Sequence, residues 1–154
     1  MELIKELPAL GRDLGPGLIL IGLTSLAAIL VGCLFEEWET LPWMATATVS
    51  LCGIGLLLRF LPKTSKVPRT STSIAATALV WVIVGLCGSL PFLFTGMSFL
   101  DAAFESMSAW TGTGFSIAED IEAWPKTLLF WRSFMQWVGG LGIVACTLTV
   151  ATRS

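Results

Sequence analysis

The charges of this chain are spaced so that they leave four long, mainly apolar stretches without any Asp, Glu, Lys or Arg. Leu14–Phe35 is the first, and its 22 residues at about 1.5 Å each reach roughly 33 Å, enough to cross a hydrocarbon core of about 30 Å. Thr40–Leu58 is the second, between Glu39 and Arg59. Thr70–Leu100 is the third; it exceeds one crossing and Pro91 interrupts it, which places a helix at about 73–93. Ser133–Thr152 is the fourth, with a start nearer Lys126. Composition agrees, since 55% of the 154 residues are apolar and only 13% are charged, against roughly a quarter in soluble domains. The expected fold is an all-α membrane protein with four transmembrane helices.

Basic loops stay on the cytoplasmic side. Lys5 and Arg12 precede the first crossing, Arg59, Lys63, Lys66 and Arg69 follow the second, and Arg153 follows the fourth. The other two connectors carry Glu36, Glu37, Glu39, Asp101, Glu105, Glu119, Asp120 and Glu122 against Lys126 alone. Both termini are therefore expected in the cytoplasm, with the protein multi-pass in the cell (inner) membrane. A net charge of −2 argues against a nucleic-acid partner. With no His in the chain, imidazole general bases, metal ligands and pH switches are excluded. Cys33, Cys52, Cys87 and Cys146 form no C-x-x-C pair and read as small buried hydrophobes. Leu30–Cys33 fits a lipoprotein cleavage box, but the apolar run around it is long for a signal peptide and continues past the cysteine.

Residues 98–122 do not suit a plain external loop. Ser98 can cap a helix and Asp101 suits its positive end. The mostly apolar residues up to Trp110 make a helix of about a dozen residues, too short to span but able to dip halfway in. Thr111-Gly112-Thr113-Gly114-Phe115-Ser116 follows, then a charged return at Glu119–Glu122. The expectation is a re-entrant pore helix and filter loop. Non-helical backbone at membrane depth survives only where it is buried in protein or lines a watery cavity. Gly112 and Gly114 permit backbone angles that aim successive carbonyls one way, Thr111 and Thr113 add hydroxyl oxygens, and such a column can replace the hydration shell of a K⁺ or Na⁺. Taken without its placement, Thr-Gly-Thr-Gly is an ordinary flexible turn.

The stretch Asp101-Ala102-Ala103-Phe104-Glu105-Ser106-Met107-Ser108-Ala109-Trp110-Thr111-Gly112-Thr113-Gly114, with Trp124-Pro125-Lys126, Phe130-Trp131-Arg132-Ser133 and Gln136-Trp137-Val138-Gly139-Gly140-Leu141-Gly142 after it, resembles the Trk/Ktr/HKT potassium transporter superfamily. It is similar to the first membrane-pore-membrane repeat of a TrkH-type subunit, over about residues 74–150, with the two earlier crossings matching an N-terminal hairpin. The resemblance implies a division into residues 1–69, a two-helix hairpin with a basic connector, and 70–154, one repeat. It implies potassium uptake, with K⁺ as the transported ion and no organic cofactor. The filter then falls on Thr111, Gly112, Thr113, Gly114, Phe115 and Ser116, with potassium held by the backbone carbonyls of Thr111, Gly112 and Thr113. One loop is a quarter of a ring. The rest comes from identical copies in a fourfold ring, from another polypeptide, or from a longer chain of which this is a piece. Further partners implied are membrane lipid at the basic connector and a cytoplasmic nucleotide-binding regulatory subunit on that side.

Several residues keep two readings. Arg132 either snorkels to headgroups or braces the filter through Glu105 or the loop backbone. Glu105 either pairs with Arg132 or faces the outer vestibule. Gly139, Gly140 and Gly142 either allow close helix packing or form a hinge. Gln136 suits an interhelical hydrogen bond, and Trp38, Trp43, Trp124 and Trp131 suit an outer aromatic belt. Rival functions are a non-conducting membrane scaffold or accessory subunit, and a small exporter, which would want a carboxylate inside its crossings. An enzyme is the weakest reading because no acid–base constellation is present.

Overall fold

The computed structural model describes residues 2–61 and 70–153, all helical or irregular with no strand among them. The connector containing Lys63, Lys66 and Arg69 lies outside the described residues. The described residues form six α-helices: α1 (Glu2–Thr24), α2 (Leu26–Leu34), α3 (Leu41–Arg59), α4 (Thr70–Ser89), α5 (Phe99–Trp110) and α6 (Lys126–Arg153). Among the described residues four helical stretches are long and apolar enough to cross a membrane: Leu14–Leu34, Trp38–Arg59, Ile74–Thr95 and Lys126–Ala145.

The first crossing is expected as one helix but is jointed at Ser25. The Ser25 side chain donates to Gly22 O (2.6 Å) and meets the Thr48 hydroxyl of α3. A hydroxyl inserted into the helical ladder is a recognised cause of bending. α1 and α3 run antiparallel at very close range. A Cβ on Gly15 would lie 2.6 Å from Gly55 O, and one on Gly55 would lie 2.7 Å from Gly15 O. In lipid, association of helices depends on such close packing because burial from water supplies no drive. At the far end of the pair Arg12 donates to Leu61 O (3.0 Å), satisfying a carbonyl at the end of α3.

Pro91 does not end the third crossing but tightens it. The chain leaves α4 at Ser89 and continues as a 3₁₀ turn over Leu90–Thr95, until Gly96, at φ +83°, stops it. Ser98 then opens α5 with an extended backbone and accepts the Asp101 N–H (3.2 Å). The last crossing begins at Lys126, as expected, seven residues before its uncharged block. Arg132 therefore lies inside the span.

α5 wedges between α4 and α6. Trp110 and Trp131 are buried and meet edge to face at 6.1 Å, and the Trp131 indole donates to Gly88 O (3.1 Å). Trp124 is also buried, 5.5 Å from Phe92. Of the four tryptophans assigned to an aromatic belt, Trp38 and Trp43 are exposed and remain available for it, whereas Trp124 and Trp131 are core. Sequence pattern placed them by depth, whereas the fold gives each a protein partner there, Trp110 of α5 for Trp131 and Phe92 of the 3₁₀ turn for Trp124.

Candidate functional site

α5 spans 12 residues, about 18 Å, so it cannot cross a bilayer alone. Its residues Ala102, Glu105, Ser106, Ser108, Ala109 and Trp110 are buried, while the loop that follows, Thr111–Phe115, is exposed. Gly112 and Gly114 sit at φ +73° and +75°, where a side chain is strained. The chain therefore turns twice within three residues, which α-helix or strand geometry does not allow.

Ser108 anchors this loop. Its carbonyl accepts from the Gly114 N–H (3.3 Å) and from Thr113 Oγ1 (3.1 Å), and its hydroxyl donates to Phe115 O (2.7 Å). Thr111 Oγ1 donates to Met107 O (2.8 Å). Both threonine hydroxyls thus direct their protons back to the end of α5, leaving oxygen lone pairs as what they can offer outward.

Behind the loop stands Arg132, from the second turn of α6. Its Nη2 donates to Gly114 O (2.9 Å) and Phe115 O (3.4 Å), and its Nε to Glu105 Oε2 (3.2 Å). Glu105 is fully buried, and its other oxygen accepts from the Ile117 N–H (2.8 Å) and the Ser116 hydroxyl. A carboxylate without water is costly unless paired and hydrogen-bonded, and this one has three donors from three residues. Of the paired readings above, the geometry has Arg132 on the loop and Glu105 on Arg132. Ser116, grouped with the filter from sequence, turns its hydroxyl to this support.

The donors divide the loop. Gly114 O and Phe115 O are occupied, while the carbonyls of Thr111, Gly112 and Thr113 accept no hydrogen bond among the described residues. Those three oxygens lie just past the C-terminal end of α5, where the helix dipole is negative. The end of α5 is itself pressed onto α6, because a Cβ on Gly139 would fall 1.9 Å from Trp110 O. Gly139 therefore packs. Gln136 lies nearby, its Nε2 3.4 Å from where a Gly114 Cβ would be.

Sequence reasoning singled out the loop, Glu105 and Arg132, but not Ser108, because a serine in a mostly apolar helix carries no signal. It also read Glu37 only as one acid of a cluster, whereas the Glu37 carboxylate is bonded to the start of α6.

The sequence profile of the TrkH family, described as a cation transport protein, matches residues 43–153. A Trk system potassium uptake protein TrkH of Halomonas elongata is 36% identical over 90% of this chain and 30% of its own length. An uncharacterised cation transporter of Methanocaldococcus jannaschii is 35% identical over 97% of this chain and 32% of its own. The crystal structure of the potassium transporter TrkH from Vibrio parahaemolyticus superposes with a TM-score of 0.85 at 31% identity, covering 94% of this chain and 32% of that one. The chain thus spans about a third of the length of the relatives it matches.

Proposed function

The chain belongs to the TrkH family of cation transport proteins, and from that membership we propose that it supplies one pore loop of a potassium uptake pathway in the cytoplasmic (inner) membrane. The carrying observation is the run of three unengaged carbonyls, Thr111, Gly112 and Thr113, at the negative end of a buried half-length helix. In this reading they replace part of the water shell of a dehydrated K⁺. Gly114, with its carbonyl held by Arg132, keeps them aligned, and Phe115 and Ser116 fasten the loop's exit. Glu105 supports Arg132. No bond is made or broken, so the protein acts as a transporter and not as an enzyme, with K⁺ as cargo and no organic cofactor.

One loop needs companions. The remaining sectors of the ring come from further membrane-pore-membrane repeats, on this chain's continuation, another chain or identical copies. Residues 1–69 act as a supporting hairpin and 70–154 as the repeat that faces the pore. The end carrying Arg12 and Arg59 is cytoplasmic, and its basic connector meets lipid headgroups or a nucleotide-binding regulatory subunit. The acidic end, with Glu36, Glu37, Glu39, Glu119 and Asp120, faces outside and enriches cations there.

The test is ⁸⁶Rb⁺ uptake, with Na⁺ as competitor, by the intact transporter carrying Arg132→Gln. Removing the guanidinium leaves Glu105 buried and uncompensated, a loss of about 3–5 kcal/mol for broken buried pairs, and frees Gly114 O. Uptake and Rb⁺/Na⁺ discrimination should both fall. Unaltered uptake and discrimination at normal membrane abundance would favour a non-conducting scaffold.

A further inference from the structure

The first turn of α6 has no cap of its own. Ala123, Trp124 and Pro125 precede it, and none has a side-chain acceptor, so the orphan N–H groups of a helix start need another partner. Glu37, 89 residues earlier, provides it. Its carboxylate accepts from the Lys126 N–H (2.7 Å), the Thr127 N–H (2.8 Å) and Thr127 Oγ1 (2.7 Å). This carboxylate sits at the favourable positive end of the helix dipole.

The turn that presents Glu37 is built for the purpose at some cost. α2 ends in a Schellman arrangement, with Glu37 N–H on Gly32 O (2.9 Å) and Glu36 N–H on Cys33 O (3.4 Å). The left-handed position of that motif is usually glycine, and here it is Glu36 at φ +59°, alone among the described non-glycine residues. Gly32 then clears the path for the incoming helix: a Cβ there would lie 2.7 Å from Thr127 Oγ1 and 2.5 Å from Leu41 Cδ2. Strained backbone persists where the surroundings over-determine it and is often associated with a functional constraint.

Arg132 follows Lys126 by six residues on the same helix, about 9 Å along the axis. A helix is stiff over two turns, so the height of the first turn sets the height at which Arg132 meets Gly114 O and Phe115 O. We propose that Glu37 is a positioning residue for the pore loop: by clamping the α6 N-terminus from the neighbouring hairpin, it fixes the register of Arg132 against the filter backbone. The hairpin thereby has a direct mechanical line to the loop, Glu37 to Thr127 to Arg132 to Gly114. The inference rests on the proposed function and adds to it a residue that never touches the ion.

The experiment uses the intact transporter with Glu37→Gln, Glu37→Asp and Thr127→Val, measuring ⁸⁶Rb⁺ uptake against Na⁺ competition, with membrane abundance and thermal midpoint determined in parallel. Glutamine has one acceptor oxygen where three donors converge, so Rb⁺/Na⁺ discrimination should fall about fivefold, the equivalent of one lost cap. Glu37→Asp, shorter by one methylene, should lie between. Adding Glu37→Gln to Arg132→Gln should produce no further loss, because Glu37 acts only through the Arg132 contact. If Glu37→Gln lowers abundance too far to assay, Thr127→Val, which removes one of the three bonds, decides by a smaller loss in the same direction. Discrimination unchanged in these variants while the thermal midpoint falls would make Glu37 a structural cap only and overturn the inference, as would fully additive losses with Arg132→Gln. If Arg132→Gln alone leaves discrimination intact, the pore reading itself fails, and this inference with it.

Discussion

Gly139→Ala is the smallest change that should disturb the loop from a distance. The new methyl would be placed 1.9 Å from Trp110 O and 2.8 Å from its carbon, and the oxygen must retreat about 1.1 Å to reach the 3.0 Å below which real Cβ atoms essentially never come. The obstacle is backbone, so no rotamer change relieves it. Sliding α6 away is opposed by Trp131 on Gly88 O and by Arg132 on Glu105 and the loop carbonyls. The displacement is therefore directed into the end of α5, one residue before Thr111. Overpacking of this kind costs about 1–3 kcal/mol, and if about 1.4 kcal/mol of it is expressed at the ion, flux falls about tenfold. Gly140→Ala is the control, since a Cβ there meets nothing within 4 Å and alanine is favoured over glycine in a helix by up to about 1 kcal/mol. The assay is ⁸⁶Rb⁺ uptake with Na⁺ competition in the intact transporter, alongside the thermal midpoint in detergent. Gly139→Ala should lose uptake and discrimination while Gly140→Ala keeps both. If the two variants behave alike, close packing at Gly139 is not what the loop depends on. A hinge across these glycines, by contrast, predicts that both lose function.

Three further outcomes follow from single contacts. Burial raises the Glu37 carboxyl, but hydrogen bonds from Thr127 and Lys126 and the Lys126 ammonium outweigh it, so its pKa lies below the ordinary 4.5. The stability it contributes is present above that ordinary value and is lost as pH falls through the lower folded value; the thermal midpoint should drop in that acidic window, and the drop should be smaller in Glu37→Gln, whereas parallel curves would remove Glu37 from the cause. Glu36→Gly relieves the left-handed backbone at φ +59° and should raise stability by up to about 1 kcal/mol, read as a higher thermal midpoint; a fall would mean the Glu36 side chain contributes more than its strain costs. Gly55→Leu forces α1 and α3 apart at the Gly15 contact and should reduce membrane abundance more than Gly53→Leu, whose Cβ position is open.

What was legible in the sequence depended on distance along the chain. Span lengths follow from charge spacing alone, and the α5 start follows from Ser98 and Asp101, so these emerge at nearly the observed positions. Local signals compete at two places. The uncharged window alone would start the last crossing at Ser133, but the expected start near Lys126 is where α6 begins, with Lys126 and Arg132 inside the helix. They are tolerated because one sits at the helix start and the other faces Glu105 and the loop backbone. Likewise Pro91 reads as a break, yet the chain needs no α-type N–H at that point and continues as a 3₁₀ turn.

The candidate site was legible as a list of residues and illegible as a mechanism, and the reason is physical. Gly112 and Gly114 advertise positive φ because few other residues tolerate it. Ser108, Thr127 and Glu37 advertise nothing, since serine, threonine and glutamate suit many environments and their role comes from what the fold brings opposite. The acid cluster Glu36, Glu37, Glu39 reads as one electrostatic unit, but its members have separate tasks: Glu36 bears the strained turn, and Glu37 is committed to three donors of α6. The field that this acidic cluster projects is therefore weaker than the residue count suggests, because the partial positive charge of a helix N-terminus offsets the Glu37 carboxylate. The loop after α5 is thus fastened from behind by Arg132 and Glu105. The line from Glu37 through Thr127 and Arg132 to Gly114 leaves little room, since Glu37 accepts from two backbone N–H groups of α6 and Arg132 donates to a loop carbonyl and to the buried Glu105.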